Sequence, residues 1–330
     1  MRRTFTQARE GLAALDPAQW LPERSQAARS ADLEAILDGT YRPVGEMAEH
    51  FDGRRPLSRR ATLTLAGAVT VSAVAVAVFE FGSGTTAAQA ATPEALTYKS
   101  ERDGVGVKAR LAAIADRAAA QPDTAGRGSY DHLRYQEWVL ASRTDGRQVT
   151  SKVVPQQFEQ WLTIDGSGKS VRTVPGTDQA PEVLNLSGPG MWAGERPPTD
   201  PAALAGWLSR GHPPQNGPEE TIVAITDLVK LQVLSPAARA AVLRVLGDVP
   251  GLVDQGTTTD RAGRPAVAFA VEGGHSGLPT RYTVLVDPAT GAILGHEQTL
   301  TRSAGDLNVP VPSVIGYDLF LVAERTDHLG

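Results

Sequence analysis

The sequence predicts an α+β protein: one transmembrane helix, then an extracytoplasmic domain with a curved antiparallel sheet and helices on one face. Three observations predict it. The first is a charge-free run from Ala61 to Phe79, behind Arg54, Arg55, Arg59 and Arg60. The second is an order of helix, strands, helices and strands after it, without βαβ alternation. The third is a set of caps and tight turns that punctuate those elements.

The run would rise about 28 Å as a helix, close to the hydrocarbon thickness of a bilayer. No Lys or Arg follows it until Lys99. The positive-inside bias therefore puts the N-terminus in the cytoplasm and the C-terminal domain outside, making this a single-pass protein of the cell membrane. Four segments follow: a cytoplasmic head (1–60), the transmembrane helix (61–81), a flexible Gly/Ser/Thr/Ala linker (82–94) and the extracytoplasmic domain (95–330). A cleaved export signal competes with the anchor. Ser58-Arg59-Arg60-Ala61-Thr62-Leu63 has a twin-arginine look, and Ala88-Gln89-Ala90 is a cleavage-like site. The run is longer than usual for a signal's apolar core and the head too long for a signal's start, so length favours the anchor.

The head carries two stretches of helical composition, Phe5 to Leu15 and Ala18 to Leu37, with too few large apolar residues for a core of its own. It reads as a weakly ordered tail, or as a segment that folds on a cytoplasmic partner. Ala73 and Ala77 form a small-xxx-small pair that would support helix pairing, a weak signal in an Ala-rich helix.

The C-terminal domain begins with a helix over Val107 to Ala120. Strands are expected over Tyr130 to Ser142, Phe158 to Ile164 and Ser170 to Val174, the last two joined by the turn Asp165-Gly166-Ser167-Gly168. Pro175 to Pro198 reads as a long surface loop, a place for function or mobility. Asp200-Pro201 starts a short helix that Gly211 stops. Pro218 to Leu234 forms a stronger helix, striped by Ile222, Ile225 and Val229. Ser235-Pro236 caps a third, ending at Gly247. Val267, Phe269 and Val271 alternate with alanines, giving a strand with a bulky and a small face. Arg281 to Val286 and Ala292 to Thr301 flank the turn Asp287-Pro288-Ala289-Thr290-Gly291, and Ser313 to Glu324 closes the sheet.

The chain holds 32 basic and 37 acidic residues and no cysteine. The C-terminal part is mildly acidic, which argues against a nucleic-acid surface. Without cysteine there is no disulfide framework, thiol nucleophile or thiolate metal site. No nucleophile elbow, P-loop or dinucleotide fingerprint occurs. Gly273 to Gly277 reads as a hairpin loop. The six histidines stand in no metal or His-carboxylate motif and are expected on the surface, in structural roles. The reading is thus of a non-enzyme with no catalytic, metal or cofactor site and no cofactor. One constellation remains: Tyr135, Trp138, Phe158, Trp161 and Phe269 form the core, or line an apolar pocket if the sheet stands off its helices.

Several motifs carry a resemblance that covers most of the chain. They are Arg54-Arg55-Pro56-Leu57, Thr199-Asp200-Pro201-Ala202-Ala203-Leu204, Ser235-Pro236-Ala237-Ala238-Arg239-Ala240-Ala241 with Leu252, Asp260-Arg261-Ala262-Gly263-Arg264-Pro265, and Asp287 to Gly291. With them the chain resembles a family of actinobacterial single-pass membrane proteins of unassigned function, often encoded beside an extracytoplasmic-function sigma factor. The domain is more loosely similar to lipoprotein-carrier and sigma-regulator sensor folds, a likeness of fold only. The resemblance implies a membrane-anchored binding or sensing module tied to sigma-factor or cell-envelope regulation, with a protein partner in the cytoplasm or envelope. A tethered carrier with a lipid ligand is the alternative, and a cell-envelope hydrolase ranks last. The head lacks the His/Cys zinc signature of one anti-sigma class.

Overall fold

A computed structural model describes residues 92–100, 104–123, 125–145 and 148–330. The described residues form four α-helices, a 3-10 turn (Pro214–Asn216) and nine strands. Helix α1 (Val107–Ala119) precedes strands β1 (Tyr130–Asp145), β2 (Gln148–Leu162), β3 (Gly168–Thr173) and β4 (Glu182–Leu186). Helices α2 (Pro201–Leu208), α3 (Glu220–Leu231) and α4 (Pro236–Gly247) come next. Strands β5 (Val253–Thr259), β6 (Pro265–Gly273), β7 (Thr280–Val286), β8 (Ile293–Leu300) and β9 (Ser313–Thr326) finish the chain.

All nine strands form one antiparallel sheet in the order β4-β3-β2-β1-β9-β8-β7-β6-β5. It consists of two meanders, β1 to β4 and β5 to β9, joined where the first strand pairs with the last. The α+β expectation with a large antiparallel sheet therefore holds. Register shifts occur in four ladders, at Arg134/Tyr135, Asp254/Gly256, Leu285/Val286 and Gln298/Thr299. Such bulges bend and twist a strand locally.

Strand alternation assigns the two faces. Val267, Phe269 and Val271 of β6, Val284 and Val286 of β7, and Tyr135 and Phe320 join one buried cluster with Leu111, Leu204, Ile225 and Leu243 from the four helices. The alanines Ala266 and Ala268 point the other way, into a second cluster with Leu285, Tyr317 and Leu319. The bulky-small alternation thus separates the helix-covered face from its opposite, in keeping with the residue pattern. Each large apolar side chain buried in this way contributes roughly 1.5–3 kcal/mol.

Local chemistry sets the helix ends. Asp200 accepts from the Ala203 amide at 2.8 Å and Ser235 from Ala238 at 3.2 Å, with proline at each first helical position. Asp165 accepts from the Ser167 amide and hydroxyl and from Thr163, and these bonds hold its carboxyl down at about 2. The β7–β8 turn needs Gly291, whose φ is +68°. A Cβ there would lie 2.6 Å from Ala118 and 2.9 Å from Leu243, so the turn rests directly on α1 and α4.

The opposite face is not left bare. Leu96 and Tyr98 pack on its apolar cluster. The Lys99 amide and carbonyl pair with Thr257 at 2.8 and 2.9 Å, Thr258 donates to the Thr97 carbonyl at 2.8 Å, and Arg261 donates to that of Glu94 at 2.7 Å. Burial, with Glu297 nearby, pushes the Tyr98 phenol up to about 12. At Gly256 (φ +96°) a Cβ would meet the Lys99 carbonyl oxygen at 2.1 Å, so only glycine admits the strap formed by residues 94–99.

Several expectations need correction. Pro175 to Pro198 contains a strand, β4. β2 starts at Gln148, ten residues before the expected Phe158, and β1 runs on to Asp145. β5 is an additional strand that the residue pattern does not announce. α2 ends at Leu208, short of Gly211, and α3 covers Glu220–Leu231 inside the wider span expected. The transmembrane run Ala61–Phe79, its arginines, the head, the small-xxx-small pair and the linker up to 91 lie outside the described residues. Among the described residues, no helix is long and apolar enough to cross a membrane.

Candidate functional site

Helix α3 carries two stripes. Ile222, Ile225 and Leu228 are fully buried and build core. Glu220 and Asp227 lie two turns apart on another stripe, and Lys230 follows in the last turn, where a cation suits the helix dipole. The second stripe meets a buried seam of polar groups. The sequence does not single out Asp227 or Lys230, because an isolated charge in a helix ordinarily means a solvated face, and it marks Glu220 only as an acid suited to a helix's first turn.

Lys230 sits between two strands. Its Nζ is 2.8 Å from Glu137 Oε1 on β1 and 2.7 Å from Asp318 Oδ1 on β9, and 5.4 Å from the centre of the Tyr135 ring. Glu137 and Asp318 are register partners, so the sheet itself places both carboxylates under the ammonium. Asp318 Oδ2 lies 3.3 Å from His296 Nδ1 on β8, and the His296 ring stacks 6.1 Å from Tyr282. Burial alone would lower the Lys230 pKa; Asp318 and Glu137 override it and raise it well above the lysine range. Burial alone would raise Asp318; the Lys230 charge and His296 hold it well below the usual carboxylate range.

The other end of α3 holds His212. Its Nδ1 is 2.7 Å from Glu220 Oε1, and its Nε2 is 3.2 Å from Asp227 Oδ2, an ion pair whose geometry falls short of a hydrogen bond. The His212 and Asp227 side chains are almost fully buried. Both ring nitrogens face carboxylates, which suits a structural imidazolium better than a proton shuttle. Burial pulls the His212 pKa down, but Asp227 and Glu220 outweigh it and raise it. Next to it, Glu219 accepts from the Gly274 and His275 amides at 2.9 and 3.1 Å, fastening the β6–β7 hairpin to the start of α3.

A pH dependence follows. A raised folded pKa means that the folded chain binds more protons than the unfolded one. The His212 contribution is therefore fully present below the unfolded value near 6.5 and is lost as pH rises through the higher folded value. Unfolding free energy measured by urea titration should fall over that window. The fall should be smaller in His212→Gln, and equal slopes in both proteins would remove His212 as its source.

The expected surface histidines need correction. His212 and His296 are buried against carboxylates, and His132 lies between Glu159 at 2.9 Å and Glu324 at 3.0 Å. Their partners are 8 to 192 residues away in sequence, so no local motif could reveal them. His275 is in the expected hairpin loop, and His328 is exposed.

The aromatic constellation divides between the two faces. Tyr135, Phe158 and Phe269 belong to the helix-covered core, with Tyr135 stacked 5.1 Å from Phe158 and tilted 6.2 Å from Phe320. Trp138 contacts Tyr317 edge-on at 5.5 Å, and Trp161 stacks on His132 at 5.0 Å, both on the opposite face. The long loop before α2 is held by its own stack. Trp192, at φ 58°, lies 4.6 Å from Trp207 and donates to the Trp207 carbonyl at 3.0 Å. Glu195 accepts from Arg210 and from the Trp207 indole at 2.8 Å, and those bonds bring its carboxyl down to about 2.

Two clefts open in the helix layer. One of about 120 Å³ is lined by Leu208, His212, Pro214, Glu220 and Ala224; a wider one of about 440 Å³ runs past Pro201, Thr221, Val245 and Pro250. Neither lining includes a member of the aromatic constellation. Comparison with protein-family models and with curated proteins found no match.

Proposed function

We propose that the chain is a membrane-tethered binding or sensing module whose C-terminal domain faces the extracytoplasmic space and meets a partner in the cell envelope. The strap is the observation that carries this reading. Residues 94–99, which follow the apolar run in the chain, are hydrogen-bonded to β5 and packed on the sheet. Fourteen residues separate Phe79 from Glu94. Fully extended they span at most about 50 Å, which keeps the domain close to the membrane surface. A change in the sheet is then passed to the tether through the backbone hydrogen bonds of the strap.

The single transmembrane helix, the cytoplasmic N-terminus and the curvature of the sheet belong to this reading. So does a link to sigma-factor or envelope regulation, which rests on the resemblance alone. The lipid-carrier alternative has weaker support, since Tyr135, Phe158 and Phe269 pack with helix and strand side chains where a carrier would keep an open cavity.

Topology tests the tether. A reporter active only outside the cytoplasm should be active after Gly330 and silent before Met1, with a 34.8 kDa chain in the membrane fraction. A shorter species released from the membrane and starting near Ala91 would overturn the anchor in favour of the cleaved signal. Replacing Arg54, Arg55, Arg59 and Arg60 by Asn should weaken the orientation.

A further inference from the structure

We propose that the outer end of the β1–β2 hairpin is a strand-addition site for an acidic, extended segment of a partner protein. The pairing pattern sets this end apart. β9 leaves β1 after the Gly316–Val139 pair, and β3 leaves β2 after Thr173–Gln157. β1 and β2 stay paired as far as Asp145–Gln148. The stretches Leu140–Asp145 and Gln148–Val153 therefore form a two-stranded arm beyond the nine-stranded body, while the free outer edge of β2 runs on to Gln156. A two-stranded hairpin is marginal in water, and each outer edge offers backbone groups to a further strand.

One face of the arm's base is covered. Leu140 of β1 packs with Leu300 and Val309, and its register partner Val153 of β2 packs against the same cluster, so the segment between β8 and β9 lies over that face. On the β2 side no strand among the described residues pairs with Gln148–Gln156. Proline at 155 cannot donate to a ladder, which leaves Val149 to Val154 as the register for an added strand.

Charge selects the occupant. Ala141 pairs with Lys152 and Arg143 with Thr150, so Arg143 and Lys152 are diagonal neighbours on one face of the arm. Lys152 is exposed and Arg143 half-buried. Among the described residues of the arm the cations Arg143 and Lys152 stand against the single acid Asp145. An added strand with carboxylates on that face would gain ladder hydrogen bonds and two opposite charges.

Direction favours a peptide over a lipid headgroup. The strap enters beside Arg261, just past the end of β5, where β1 also begins and β9 ends. The arm leaves from the other end of the sheet, where β9 begins and β8 ends. On the tethered reading, on which this step rests, the arm points away from the membrane.

The test uses the full chain in detergent micelles. The probes are fluorescein-labelled Thr-Glu-Val-Glu-Val-Glu-Thr, its lysine counterpart, and the acidic peptide N-methylated at alternate amides. The acidic peptide should bind. N-methylation should abolish binding on one edge of the peptide. The double variant Arg143→Glu, Lys152→Glu should weaken it at least about tenfold and gain affinity for the lysine peptide. Amide exchange over 148–154 in the unaltered protein should slow when the acidic peptide is added, a readout that needs no variant. Equal binding of both peptides, indifference to N-methylation, unchanged exchange, or displacement of the acidic peptide by phosphatidylglycerol vesicles would overturn the proposal. Micelle binding does not depend on orientation in a membrane, so its failure and that of the reporter experiment are separate results.

Discussion

Lys230→Met should destabilise the domain by about 2–4 kcal/mol, somewhat under the range for a fully buried ionic cluster because Lys230 and Glu137 keep some contact with water. The substitution leaves Glu137 and Asp318 facing each other beneath α3 without their shared cation. Much of that loss is the cost of the unpaired carboxylates and not the worth of the pairs. Combining Lys230→Met with Glu137→Gln and Asp318→Asn should therefore recover most of it, to within about 1 kcal/mol of the starting protein. Denaturant titration of the four-protein set, including the double carboxylate variant, measures both steps. A loss below about 1 kcal/mol for Lys230→Met alone would mean that water reaches the carboxylates, and the seam would then be an open site.

Phe269→Ala should cost about 3–5 kcal/mol, the usual penalty when a buried aromatic is truncated and the space does not collapse. Phe269 is fully buried on the β6 face that meets the helices, in one cluster with Val284, Ile225 and Leu243. The same variant separates a filled core from a carrier cavity. In a cavity the ring already faces empty space or ligand, so truncation would cost little and enlarge the room for lipid. Denaturant titration and native mass spectrometry read the two effects together. A cost under about 1 kcal/mol with additional co-purified lipid would revive the carrier reading.

The residue pattern is informative wherever one short stretch contains its own cause. Asp200-Pro201 and Ser235-Pro236 start helices because the cap, the proline and the helix are neighbours. The alternation from Ala266 to Val271 separates two faces because strand geometry has a period of two. The strands that escape the pattern lack that clarity. β2 opens with Gln148, Val149, Thr150, Ser151 and Lys152 and carries proline at 155, so composition argues against it. A signal is available in Asp145-Gly146, a strong hairpin dipeptide just past the expected end of the first strand at Ser142. β4 follows a proline and a run of turn formers, and its neighbour β3 supplies the ladder that its own sequence does not announce.

Residue order alone was enough for the α+β class, most caps and turns, the bulky and small faces of β6, and the position of the one long apolar run. Those features depend on local propensity and periodicity, which few residues suffice to express. Strand order is a different matter, because it joins β1 to β9 across about 180 residues and emerges only when the chain packs. Packing likewise settles which aromatics share a face and which charges meet. Glu137, Lys230 and Asp318 are ordinary residues where they stand in the chain. They become a partly buried triad because the β1–β9 register sets the two acids side by side and α3 lays its last turn over them. With most of their surface withdrawn from water there, neither acid nor lysine can lose its partner cheaply, and that constraint exists only in the folded chain.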